Sequence, residues 1–180
     1  IYCAFLFSFT FLIFSSCKEN PQKKEEKKFI SVLSLIEKQV AHIDTSLYAI
    51  TKVVFTDSLH SDTSYIRRED FRAVAKDFLE IPDLSETKVA KKYKEETRYD
   101  ELLNRVIITY TPLNAAKEEI QKQEIMVTPN LATGDKVNNI IVISAKNDRN
   151  GFLEKNMLWL MDKSFQIVTT SQLPGKPEMV

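Results

Sequence analysis

The sequence predicts an α+β fold, with two N-terminal helices packed on an antiparallel meander sheet of four to five strands. Three observations predict it. Apolar residues recur at helical spacing early in the chain. The period drops to two after Asn104. Short polar turns then separate successive apolar runs. Strands joined by short links pair antiparallel, and helices gathered at one end of the chain with strands at the other give the α+β class.

Phe29, Leu33, Ile36, Val40, Ile43, Leu47, Ile50 and Val54 step by four and three in strict alternation. That heptad-like stripe predicts a helix over 28 to about 42. Asp44, Thr45 and Ser46 offer a fresh cap. The segment 47–56 reads as continued helix, although its β-branched residues also suit a strand. The stripe's flanks carry few charges, so it is expected to pack on the protein's own sheet rather than in a coiled coil.

A polar turn follows at 57–64. The second helix is predicted over 68–80, with Phe71, Val74, Ala75, Phe78 and Leu79 on one face, Glu69 and Asp70 in its first turn, and Ile81-Pro82-Asp83 as its stop. Residues 83–100 are strongly polar and read as a surface loop with a short edge strand at 93–99. Strands then follow from Asn104 to Pro112, over 121–128, 137–145, 152–161 and 165–171, separated by turn signals at 129–135, 147–151 and 162–164. In outline, a curled sheet on a long helix resembles cystatin-like or NTF2-like arrangements. That likeness of element order implies no site.

The chain has 180 residues, 43% of them hydrophobic and 28% charged. Both values are ordinary for a globular protein. Its organisation divides into a signal peptide at 1–16, a cysteine and charged tether at 17–28, one α+β domain at 29–173 and a tail at 174–180. A domain of roughly 150 residues buries about two-thirds of its surface and needs neither disulfide nor metal. Basic and acidic residues balance at 25 each, which gives no support for nucleic-acid binding. The cysteines are Cys3 and Cys17, so the body has no thiol for a disulfide, a metal site or a nucleophile. No cofactor is implied, and the 3 glycines argue against a phosphate-cradling loop.

Residues 1–14 are apolar and uncharged, as in the core of a secretory signal. They begin without Met or a basic start, so the leader is expected to extend upstream of Ile1. Phe14-Ser15-Ser16-Cys17 closes the run and resembles the lipobox of bacterial lipoproteins. In that family the leader is cut before the cysteine, which is then acylated, for example with palmitate. The alternatives are a transmembrane anchor and an ordinary cleaved signal. Sixteen helical residues span only about 24 Å, short of a hydrocarbon core of roughly 30 Å. Residues 18–28 hold eight charges, one proline and no apolar side chain, as expected of a solvated tether. Lys18-Glu19 after the cysteine looks like the charged export tags of Bacteroidota lipoproteins. The likeness implies an outer-membrane lipid anchor, at the periplasmic face or the cell surface. The body as a whole resembles the uncharacterised single-domain envelope lipoproteins of that group.

Chemistry-bearing residues are sparse. His42 lies beside Asp44 near the end of the first helix, where a cation also suits the helix dipole. Asp57, His60 and Asp62 share one loop, a donor set able to hold a divalent metal but without a recognised spacing. Glu95-Glu96 and Glu118-Glu119 fall in charged runs. Arg67-Arg68 suits either an anion or ion pairs to Glu69 or Asp70. Among the aromatics, Tyr110, Phe152, Trp159 and Phe165 are candidates for a ligand or partner surface, although they also sit at core spacing. Leu158-Trp159-Leu160-Met161 is apolar on both strand faces, so one face is left for a ligand or partner. The expectation is a non-catalytic, lipid-anchored envelope protein that binds a partner protein or an apolar ligand. The alternative is an anchored hydrolase or metal-dependent enzyme using His42 or the Asp57/His60/Asp62 loop.

Overall fold

The computed structural model describes residues 28–57, 59–149, 151–175 and 179–180, so Cys17 and most of the tether lie outside the described residues. The chain is α+β, with a six-stranded antiparallel sheet, a separate two-stranded hairpin and short helical segments around one long helix.

Helix α1 spans Val32–Thr45. Ser31 caps it, its Oγ accepting the Ser34 amide at 3.1 Å and donating to the Asp83 carboxylate at 2.8 Å. Its buried stripe is Val32, Ile36 and Val40, with Phe29 just ahead of the cap. The helix does not continue through 47–56. Ser46 turns extended, its amide bonded to the Ile43 carbonyl, and the Thr45 hydroxyl donates to the His42 carbonyl. The chain then forms β1, Ile50–Phe55, paired in register with β2, Ser61–Ile66. The expected helical continuation is therefore a strand. Thr51, Val53 and Val54 suit the extended backbone; Ile50 and Val54 share a strand face by the period of two, and Leu47 lies ahead of the strand.

The predicted second helix is broken. A 3-10 turn at Arg68–Asp70 leads into α2, Phe71–Val74, and α3, Lys76–Leu79. The buried Ala75 between them departs from helical geometry at φ −83°, ψ 5°. Both Phe71 and Phe78 nevertheless meet the same two rings of the sheet, Trp159 and Phe165. A last helical turn, α4 at Thr87–Ala90, precedes the sheet.

The sheet has six strands rather than four or five: β3 Tyr93–Asp100, β4 Arg105–Pro112, β5 Ile120–Thr128, β6 Lys136–Asp148, β7 Gly151–Leu160 and β8 Ser164–Gln172, each beside the next. The sixth is the polar β3, the edge strand expected at 93–99, which lies along the edge with only Tyr93 buried. Lys94, Glu95, Glu96, Arg98 and Asp100 mark it as a protected edge. At the other edge, Ser171 of β8 exchanges backbone bonds of 2.7 and 2.8 Å with Met179. Gly151 opens β7 at φ +130°, where a β-carbon would collide with the Gln172 carbonyl oxygen.

Helices cover one face of this sheet. The core joins Phe29, Val32, Ile36 and Val40 to Phe71, Phe78, Tyr93, Tyr110, Ile125, Ile140, Val142, Met157 and Trp159. Gln39 holds α1 over the far end, accepting the Asp162 amide at 2.8 Å and donating to its carboxylate at 3.0 Å.

Candidate functional site

The aromatics expected to line a surface are mostly inside. Tyr110 is 0% exposed and Trp159 4%. Tyr110 stacks on Phe29 with ring centroids 4.4 Å apart, and its hydroxyl accepts the Ile30 amide at 3.0 Å. Trp159 stacks on the half-buried Phe165 at 5.0 Å, and Phe78 meets both edge-on. These rings join α1, α2 and α3 to the sheet. Phe152 sits apart, half-buried at the opposite end of β7. Tyr110 and Trp159 are thus corrected from surface candidates to core. The core also pushes tyrosines up: burial raises Tyr110 to about 12, and burial followed by Glu118 and Glu119 raises Tyr93 to about 12.

Alternation along β7 places the neighbours of Trp159 on the other face. Leu158 pairs with Ile141 and Leu160 with Asn139, while Val168 lies opposite Asn156, which pairs with Ile143. Ile107 is buried on this face, and Met126, Ile141, Ile143, Leu158, Leu160 and Val168 are half-buried; none of them packs in the core cluster under the helices. They form an apolar band that no described helix covers. Polar groups interrupt it: the Lys122 ammonium meets Glu124 at 2.8 Å, Thr109 donates to Glu124 at 3.4 Å, and Asn139 reaches the Met126 sulfur at 3.2 Å. Such interleaving of apolar and polar side chains is the composition of a protein interface.

The β1–β2 hairpin is a second exposed region. Only Ile50 and Ile66, at its base, are partly buried. Leu47 is 94% exposed, Phe55 72% and Tyr65 82%.

The histidines are brought to no common centre. His42 is exposed in the last turn of α1. His60 lies in the turn between β1 and β2, with Nδ1 2.8 Å from the Asp57 carboxylate. The same carboxylate accepts the Leu59 amide at 2.7 Å and the His60 amide at 2.9 Å. The Leu59 amide and the His60 ring hold Asp57 below the usual carboxylate range. Asp62 pairs with Val54 along β2, and among the described residues no three such groups converge as a metal site. Arg67 is bound to Asp70 at 2.9 Å, which raises its affinity for the proton. Arg68 Nε is buried without a hydrogen-bond partner.

A cleft of about 110 Å³ opens beside α3, lined by Asp77, Glu80, Ile81, Ser144, Lys155 and Met157 among others. Lys155 is already paired with Asp77 at 2.7 Å. The cleft beside α3 holds a few waters rather than an apolar ligand of ordinary size. A larger but open hollow of about 370 Å³ lies at the base of the hairpin, lined by Leu47, Tyr48, Ile50, Ile66 and Arg68 among others. No family model, curated protein or solved structure matches the chain.

Proposed function

We infer that the chain is a non-catalytic, lipid-anchored protein of the bacterial cell envelope whose domain docks a partner protein. The observation that carries the binding reading is the second face of the sheet, which no described helix covers and where Leu158, Ile141 and Leu160 are half-buried. A partner protein fits it better than an apolar ligand, because the face is a surface crossed by Asn139, Asn156 and Glu124 rather than an enclosed apolar cavity. The lipid anchor rests on Phe14-Ser15-Ser16-Cys17 and the charged tether behind it. It implies attachment at the outer membrane, on its periplasmic face or at the cell surface. The long helix on a meander supports the cystatin-like or NTF2-like outline at the level of layers.

Two substitutions test the reading in cells. Cys17→Ala is expected to abolish labelling by a fatty-acid probe and to release the protein from the membrane fraction; unchanged labelling defeats the anchor. A photo-crosslinking side chain at Leu158 is expected to give a discrete adduct, and one at the exposed Leu102 none. Identical patterns at both positions defeat the docking face.

A further inference from the structure

We propose that the β1–β2 hairpin is a dimerisation arm: β1 pairs antiparallel with β1 of a second copy, joining two hairpins into one four-stranded sheet. This is independent of the Leu158 face and of the anchor.

The molecule treats its strand edges differently. The β3 edge of the large sheet is dense in charge, and the β8 edge is bridged by Met179. By contrast, β1 is Ile50-Thr51-Lys52-Val53-Val54-Phe55, with one charge and neither proline nor glycine, and its outer edge is unpaired among the described residues. A short, β-branched, nearly neutral strand with an open edge is a template for pairing. A lone two-stranded hairpin is also marginal in water, whereas three or more strands sharing an apolar face support one another.

The register points to a second copy of this chain as the occupant. The Thr56 amide donates to the His60 carbonyl at 3.1 Å, making 56 and 60 a hydrogen-bonded pair. Such pairs alternate with non-bonded ones along an antiparallel ladder. Val54 with Asp62, Lys52 with Ser64 and Ile50 with Ile66 are therefore the bonded pairs of the hairpin. Thr51, Val53 and Phe55 turn their amides and carbonyls to the open edge. A two-fold axis at Val53 pairs Val53 with Val53 of the second copy and Thr51 with Phe55 of the second copy. All three outward residues then exchange bonds with residues of matching orientation.

Side chains agree with the same register. Val53, Phe55 and Tyr65 share one face of the hairpin and are exposed. In the joined sheet, Tyr65 lies in the row of Thr51 and Phe55 of the second copy, with the two Val53 side chains in the next row. On the opposite face, Lys52 lies beside Val54 of the second copy, and the second copy's Asp62 stands one strand further along the same row, about 9.5 Å from Lys52 and within reach of its long stem. Moving the axis to Lys52 sets like charges face to face and points bonded backbone groups at the seam.

The test uses the full chain in detergent micelles. Val53→Cys is expected to form a covalent dimer on mild oxidation, because paired α-carbons about 5.5 Å apart suit a disulfide. Ser64→Cys, on the far strand, is expected to cross-link no more than the parent chain with its own cysteines. Val53→Pro removes the outward amide and leaves the hairpin's own bonded pairs intact. It is expected to weaken dimerisation by about tenfold or more in sedimentation, with the circular dichroism unchanged. Val53→Lys keeps the amide but opposes two charges across the axis, and is expected to weaken dimerisation likewise. Equal cross-linking at Val53→Cys and Ser64→Cys, a parent chain monomeric at every concentration, or dimerisation untouched by both Val53→Pro and Val53→Lys overturns the proposal.

Discussion

The sheet-and-helix body and the β1–β2 arm are built from similar residues and end in opposite states. Tyr110, Ile125, Ile140, Val142, Trp159 and Phe165 of the large sheet meet α1 and the short helices, so their apolar area leaves water. The same residue types on the arm meet solvent. Burying a large apolar side chain contributes about 1.5–3 kcal/mol, and Phe55 and Tyr65 forgo most of that in one copy of the chain. The contrast teaches that strand propensity sets backbone shape, whereas stability comes from what lies across the face. The body supplies its own second layer, and the arm does not.

The largest expected effect lies in the body. Phe78 is fully buried against Trp159 and Phe165. Phe78→Ala is predicted to cost about 3–5 kcal/mol in urea denaturation. Phe55→Ala on the arm is the matched control, predicted to change the monomer's stability by less than about 0.5 kcal/mol. Equal losses at the two sites would break the comparison.

A smaller effect, of opposite sign, sharpens it. Gln123 is 1% exposed on the helix-covered face, and neither atom of its amide has a hydrogen-bond partner. An unmatched buried amide costs about 1–3 kcal/mol. Gln123→Met keeps the volume and removes the polar atoms, so it is predicted to raise stability by about that amount, read as a higher urea midpoint. Lower stability in this variant would mean that the amide has a partner, such as a buried water.

Much of the body was legible in the sequence. The alternation of Val106, Ile108 and Tyr110, and the doubly apolar run at 140–143, mark strands because a sheet with one covered face imposes a period of two. The charges of β3 also read as an edge. The arm was misread because spacing alone cannot tell a helical stripe from a short strand whose apolar residues find no core, so Leu47, Ile50 and Val54 extended the α1 pattern by coincidence. The break at Ala75 was hidden as well, since apolar residues at helical spacing fit an unbroken helix and a kinked one alike. At the candidate surface, the sequence showed that Leu158-Trp159-Leu160 is apolar on both faces. Which face the helices choose is a tertiary fact, and it put Trp159 inside and Leu158 outside.

Amide hydrogen exchange at two adjacent residues of β1 tests the arm most directly. In the hairpin itself the Val54 amide is bonded and the Val53 amide points to the open edge. Val54 is expected to be protected at every protein concentration, whereas Val53 gains protection only as concentration rises and loses it on dilution. A Val53 amide that exchanges freely even in concentrated protein would contradict it.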